Sequence, residues 1–123
     1  MPSKMLIADD SEIVRRGIRQ ILSSQNEFEI VGEAQDFVKT SRLIRELNPD
    51  VVVLDVHMPG EITFLSNEFK SQLRGSRLLA ISIWADEQTR QLAYALGAVA
   101  LLQKANLGAT LIPTIMEMFQ RPV

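Results

Sequence analysis

The chain has no cysteine among its 123 residues. This excludes disulfides and thiolate metal centres, and it suits a reducing, cytoplasmic setting. Neither sign of charge is in excess: 13 Lys and Arg stand against 15 Asp and Glu, a net charge of −2. Nothing in that balance draws the chain to nucleic acid or to an anionic membrane. No apolar run approaches the roughly 18 residues needed to cross a bilayer. Met1-Pro2-Ser3-Lys4 leads straight into an apolar strand, so no signal peptide is expected. There is no internal repeat, low-complexity tract or linker. Hydrophobic residues make up 46% of the chain, enough for one globular core and too many for disorder. The expectation is therefore a single domain over residues 1–123, with no output domain in this chain.

The most informative stretch is Val51–Gly60. Val51 to Leu54 form an apolar run with no polar partner, the pattern of a strand buried on both faces of a parallel sheet. The run ends at Asp55 and turns at Met58-Pro59-Gly60. Read alone, Asp55 is either the cap of the next helix or a carboxylate at the sheet edge where open α/β folds bind ligands.

The rest of the chain repeats that unit. Met5–Ala8 is an apolar strand stopping at Asp9-Asp10, and Ser11 is a natural N-cap for a helix carrying Ile13, Val14, Ile18, Ile21 and Leu22. Arg15, Arg16 and Arg19 then fall on a face read as solvated, or as a contact for an acidic kinase surface. Phe28–Glu33 reads as an edge strand, and Asp36 opens a helix that ends at Asn48-Pro49. Ile62, Leu65, Phe69 and Leu73 have helical spacing and stop at Gly75. Arg77–Ser82 is a fourth strand, Ala85–Leu96 a helix capped by Gly97, and Val99–Leu102 a fifth strand ending at Gln103-Lys104. Pro113 lacks an amide hydrogen, so with Thr110 as N-cap the last helix is expected from about Leu111, with residues 106–109 as a turn or a short separate piece. Met116, Met118 and Phe119 read as ordinary helix core. Five strict alternations of strand and helix predict an α/β three-layer sandwich with a parallel five-stranded sheet.

In a parallel sheet all the strand C-termini share one edge. That edge would receive Asp9 and Asp10 from strand one, Asp55 from strand three, Ser82 from strand four and Lys104 from strand five. Such a set suits phosphoryl transfer to a carboxylate. Clustered acids repel each other and an incoming phosphate, and a hard divalent cation with oxygen ligands relieves both. Lys104 adds a fixed positive charge, and the Ser82 hydroxyl can donate to a phosphoryl oxygen. Positioning and charge neutralisation dominate this chemistry.

Over its whole length the chain resembles the CheY-like receiver domains of two-component response regulators. The resemblance is carried by Asp9-Asp10, Asp55 with Met58-Pro59-Gly60, Ser82 and Lys104. Gly97-Ala98 and Leu101-Leu102-Gln103-Lys104-Ala105 are most like the NarL/FixJ (LuxR-type) subfamily, whose members carry a C-terminal helix-turn-helix DNA-binding domain. The resemblance implies a flavodoxin-like fold with strand order 2-1-3-4-5. It implies that Asp55 is the phosphoacceptor, assisted by Lys104 and Ser82. Mg²⁺ (or Mn²⁺) would be bound by Asp10, Asp55 and the backbone carbonyl of His57, with Asp9 acting through water. The implied partner is a histidine kinase or phosphotransfer protein. Homodimerisation is left open, DNA would be reached only through an output domain absent from this chain, and no membrane is involved. The domain would catalyse only its own phosphorylation and dephosphorylation, not the turnover of an external metabolite.

Two positions depart from the family pattern. Leu101 stands where many relatives have an inward-turning aromatic, and Ala105 follows Lys104 where many have a cis-proline. A cis bond before alanine costs roughly 3 kcal/mol, so a trans bond is expected. Trp84, two residues past Ser82, either partly covers the phosphate, contacts a partner or packs on the fourth helix. His57, the only histidine, is expected to line the approach of water to Asp55 and not to ligate metal through its ring. A phosphate-independent interaction module is opposed by the complete set of acids, hydroxyl and lysine. A flavin-binding protein is opposed by Asp9-Asp10 where a phosphate loop would lie. A haloacid dehalogenase-type phosphatase needs a second Asp two residues past the nucleophile, where His57 stands.

Overall fold

The computed structural model describes residues 2–58 and 66–120. Their elements are β1 (Ser3–Ala8), α1 (Glu12–Ser23), β2 (Phe28–Ala34), α2 (Phe37–Leu47), β3 (Val51–Asp55), α3 (Ser66–Gln72), β4 (Arg77–Ser82), α4 (Glu87–Ala95), β5 (Ala98–Gln103) and α5 (Leu107–Phe119), with a 3-10 turn at Lys104–Asn106. The strands lie in the order β2-β1-β3-β4-β5, and every pairing is parallel. This is the flavodoxin-like sheet expected. Pro59, Gly60, Ile62 and Leu65 lie outside the described residues.

The period of two along each strand sorts the core onto the two faces of the sheet. Leu6, Val52, Leu54, Leu78 and Ala80 pack with Phe37, Ile44, Phe69 and Ala93 from α2, α3 and α4 and with Leu96 just past α4. Met5, Ile7, Val51, Val53, Leu79 and Ile81 pack with Ile18, Leu22, Leu111, Ile115 and Met118 from α1 and α5. All five residues of β3 are buried, because this central strand is covered on both sides.

Local chemistry sets the helix ends. The Ser11 side chain accepts from the Val14 amide and the Asp36 side chain from the Lys39 amide, each supplying an N-cap. Asn48 closes α2 in the left-handed region, with φ 46°. Gly97 closes α4 at φ +99°, and a Cβ there would come within 3.0 Å of the Leu73 side chain. The positive φ favours glycine, and the Leu73 and Lys70 side chains would have to shift slightly to admit a Cβ.

The structure corrects the expected start of the last helix. α5 runs without a break from Leu107, and Pro113 sits inside it. The Thr110 hydroxyl donates back to the Asn106 carbonyl at 2.9 Å instead of capping a later start. Pro113 and Ala109, whose carbonyl Pro113 cannot serve, are both exposed, so the missing bond falls on the solvent side. Leu107, Leu111, Ile115 and Met118 are buried, and their packing holds the helix across the gap. Pro113→Ala should restore that bond and raise stability by up to about 3 kcal/mol. An unchanged urea midpoint would show that the helix carries no such defect.

Two apolar residues read as core are not. Ile13 is 79% and Met116 42% exposed, each pointing away from the sheet. Among the described residues no peptide bond is cis, so the bond to Ala105 is trans as expected. No described helix is long and apolar enough to cross a membrane.

Candidate functional site

The register brings the candidate residues to one edge. Ala8 pairs with Leu54, so Asp9 and Asp55 end neighbouring strands at one level. Asp55 pairs with Ile81, so Ser82 stands one residue beyond it. Ser82 pairs with Gln103, which puts Lys104 next along β5. Asp9, Asp55 and Ser82 are buried and Asp10 is exposed.

Lys104 joins two of the acids. Its Nζ lies 2.8 Å from Asp9 Oδ2 and 3.1 Å from Asp55 Oδ2. The ammonium thus bridges the two carboxylates, with the shorter contact on Asp9. Asp9 is fully buried, and Lys104 is the cation that faces its Oδ2. Burial raises the Asp9 pKa above its ordinary value, against the pull of Lys104 and the Ser11 amide. For Lys104 burial lowers the pKa, but Asp9 and Asp55 together outweigh it and the net shift is upward. The lysine is fully charged at neutral pH.

Both oxygens of Asp55 are engaged. Oδ1 accepts from the His57 amide at 2.9 Å and Oδ2 from Lys104. Side-chain oxygens of Asp9, Asp10 and Asp55 all lie within 4.8 Å of one another. Three carboxylates at this separation, two of them buried and with one lysine between those two, suit a hard divalent cation that takes oxygen ligands. The acidic pocket is therefore compatible with Mg²⁺ or Mn²⁺.

On the other side of the edge, the Trp84 amide donates to Ser82 Oγ at 2.9 Å. The Ser82 hydroxyl proton remains available to a further acceptor. The Trp84 ring is 57% exposed and borders a cleft of about 470 Å³ with His57, Gln88 and Leu92. It flanks the start of α4 without being buried there. His57 Nε2 lies 3.3 Å from Thr89 Oγ1, which donates to Asp86 Oδ1 at 2.5 Å. The ring thus leans on the first turn of α4. Leu101 is half-buried against the core formed with α2, α3 and α4.

The arginine face is not simply solvated. Arg16 is exposed, but Arg15 and Arg19 share Glu12 and Glu33 in a four-residue ion-pair network. Glu33, on β2, is a member of this network that stands outside the residues expected at the strand edge. The only local signal was the pair Glu12 and Arg15, three apart on one helix face.

A strand edge carrying three carboxylates, a hydroxyl and a lysine on this topology defines a signalling receiver module, and comparison with known proteins agrees. Residues 5–115 match the model of the response regulator receiver domain, and the chain belongs to that family. It is 37% identical over 110 residues to a protein-glutamate methylesterase/protein-glutamine glutaminase of Xanthomonas campestris pv. campestris. That match covers 86% of this chain and 30% of the relative, so the chain spans under a third of the curated relative's length. Among solved structures it is similar to the signal receiver domain of the response regulator NarL from Mycobacterium tuberculosis, with TM-score 0.87, 25% identity and 98% of both chains covered. The response regulator domain of Thermotoga maritima CheB shares the fold, with TM-score 0.84, 24% identity and both chains covered in full.

Proposed function

We propose that this chain is a phosphorylation-driven switch in which Asp55 accepts a phosphoryl group from a histidine kinase or phosphotransfer protein. The observation that carries this reading is Lys104 Nζ between Asp9 and Asp55, 2.8 and 3.1 Å away, at the rim where Ser82 also ends its strand. An Asp55 carboxylate oxygen forms the bond to phosphorus as the bond to the donor breaks. Lys104 turns from the carboxylates to a phosphoryl oxygen, and the Ser82 hydroxyl donates to another. Asp10, Asp55 and the His57 carbonyl would hold Mg²⁺ directly, and Asp9 would act through water. Bound there, the ion would neutralise the carboxylates and the incoming phosphoryl oxygens. The product state then shifts an existing two-state equilibrium, at the scale of about 1–3 kcal/mol typical of allosteric coupling.

Trp84 should report the shift. Ser82 Oγ accepts from the Trp84 amide, so drawing Ser82 towards phosphate pulls on that backbone. Mg²⁺ alone should alter Trp84 fluorescence slightly, and beryllofluoride with Mg²⁺ should alter it more. Ser82→Ala should remove the second change and spare the first. Identical spectra with and without beryllofluoride, in phosphorylatable protein, would mean that the signal leaves by another route.

Two outputs are consistent with this receiver. The Leu101–Ala105 pattern supports a transcription-regulating DNA-binding domain, whereas 37% identity to a methylesterase supports an effector of that kind. An effector encoded after Val123 would show helix-turn-helix periodicity in the first case and a methylesterase domain in the second.

A further inference from the structure

Asp9 follows the end of β1, so its carbonyl has no rung in the sheet ladder. Arg15 supplies one: Nη1 donates to the Asp9 carbonyl at 2.6 Å. The same guanidinium donates through Nε to Glu33 Oε1 at 3.1 Å and through Nη2 to Glu12 Oε2 at 2.5 Å. Its side chain is 15% exposed. Other bonds secure the rest of the turn. The Asp9 amide donates to the Ala34 carbonyl, the Ser11 amide to Asp9 Oδ1, and the Arg15 amide to the Ser11 carbonyl. Asp10, between two secured residues, has its direction set by them. Arg19 braces the assembly from outside, bonding Glu33 at 2.6 and 2.7 Å and Glu12 at 3.1 Å. None of these bonds reaches the turn.

We propose that Arg15 is a positioning residue for the cation site: by holding the Asp9 carbonyl against β2, it aims the carboxylates of Asp9 and Asp10 at Asp55. This inference rests on the reading of the site as one that binds Mg²⁺. A planar fork is needed, because one donor must serve the carbonyl while others reach Glu33 and Glu12. A lysine ammonium at the same place is a point charge on a flexible stem.

The sign of the effect separates positioning from charge. A nearby cation repels Mg²⁺, so if Arg15 acted only through its field, removing it would tighten Mg²⁺ binding. Positioning requires the opposite.

The test is calorimetric titration of the whole chain with Mg²⁺ alone, for the wild type and for Arg15→Met, Arg15→Lys and Arg19→Gln, with a thermal melt of each. Arg15→Met and Arg15→Lys should bind Mg²⁺ about tenfold more weakly, as expected for losing a hydrogen bond to a charged donor. Arg19→Gln, which removes the same charge from the outer side, should stay within about twofold of the wild type. Unchanged or tighter binding by Arg15→Met would overturn the proposal, as would wild-type affinity in Arg15→Lys. Equal weakening by Arg19→Gln would also overturn it, by moving the effect to the whole ion-pair network. Should Arg15→Met fail to fold, the comparison of Arg15→Lys with Arg19→Gln decides. A wild type that does not bind Mg²⁺ would instead overturn the reading of the site itself.

Discussion

Asp55→Asn should take up no phosphoryl group from acetyl phosphate, while the wild type gains one and only when Mg²⁺ is present. An amide oxygen is a far weaker nucleophile than a carboxylate, and no other described acid shares the position of Asp55. Asp9 is fully buried behind Lys104, and Asp10 is exposed on the turn after β1. The variant should stay folded, because a neutral group at position 55 lessens repulsion with Asp9 and can still accept from the His57 amide. Intact-mass analysis of both proteins, with Mg²⁺ and with a chelator, reads the result. A phosphorylated Asp55→Asn, or uptake by the wild type without the cation, would place the acceptor or its activation elsewhere.

Lys104→Met should destabilise the metal-free protein by about 2 kcal/mol at neutral pH. The figure falls below the ~3–5 kcal/mol seen when a fully buried ion pair loses one partner, because Lys104 keeps some exposure. Its removal leaves Asp9 and Asp55 buried with no cation between them. The pH dependence follows from the two shifts. The raised Lys104 pKa means its stabilisation is complete below its ordinary value of 10.5 and fades as pH rises through the folded value. The raised Asp9 pKa means its protonated form is favoured in the fold, and that contribution is lost as pH rises through its folded value, from above its ordinary 3.8. The gap between wild type and variant should therefore be small in acid, where Asp9 is neutral, and full at neutral pH. It should close again only in strong alkali. Millimolar Mg²⁺ should recover more stability in the variant than in the wild type, since an ion held by the folded acids would favour the folded state and replace the missing charge. Denaturant melts across pH, with and without Mg²⁺, test both parts. A variant as stable as the wild type at neutral pH would show that the lysine does not hold the acids.

What the sequence determined by itself was the architecture and the membership of the strand edge. Apolar runs of four to six residues alternating with helical periods leave little choice but a parallel sheet with helices on both faces. In such a sheet Asp9, Asp55, Ser82 and Lys104 reach one rim by chain direction alone. Capping at Ser11 and Asp36 was legible because it depends only on neighbours in the chain. What tertiary structure alone decided were matters of competition between distant groups. Packing of Leu107, Leu111 and Ile115 against the sheet outweighed the local preference of Pro113, so α5 begins a turn early. Ile13 has the right spacing for the core but faces outward, because α1 is rotated to lay Ile18 and Leu22 on the sheet. Arg15 and Arg19 looked like a solvated face until β2 brought Glu33 beneath them, 18 and 14 residues away. Periodicity records which side of an element is apolar. Which charges meet across elements depends on register and side-chain reach, and those exist only once the sheet has closed its order.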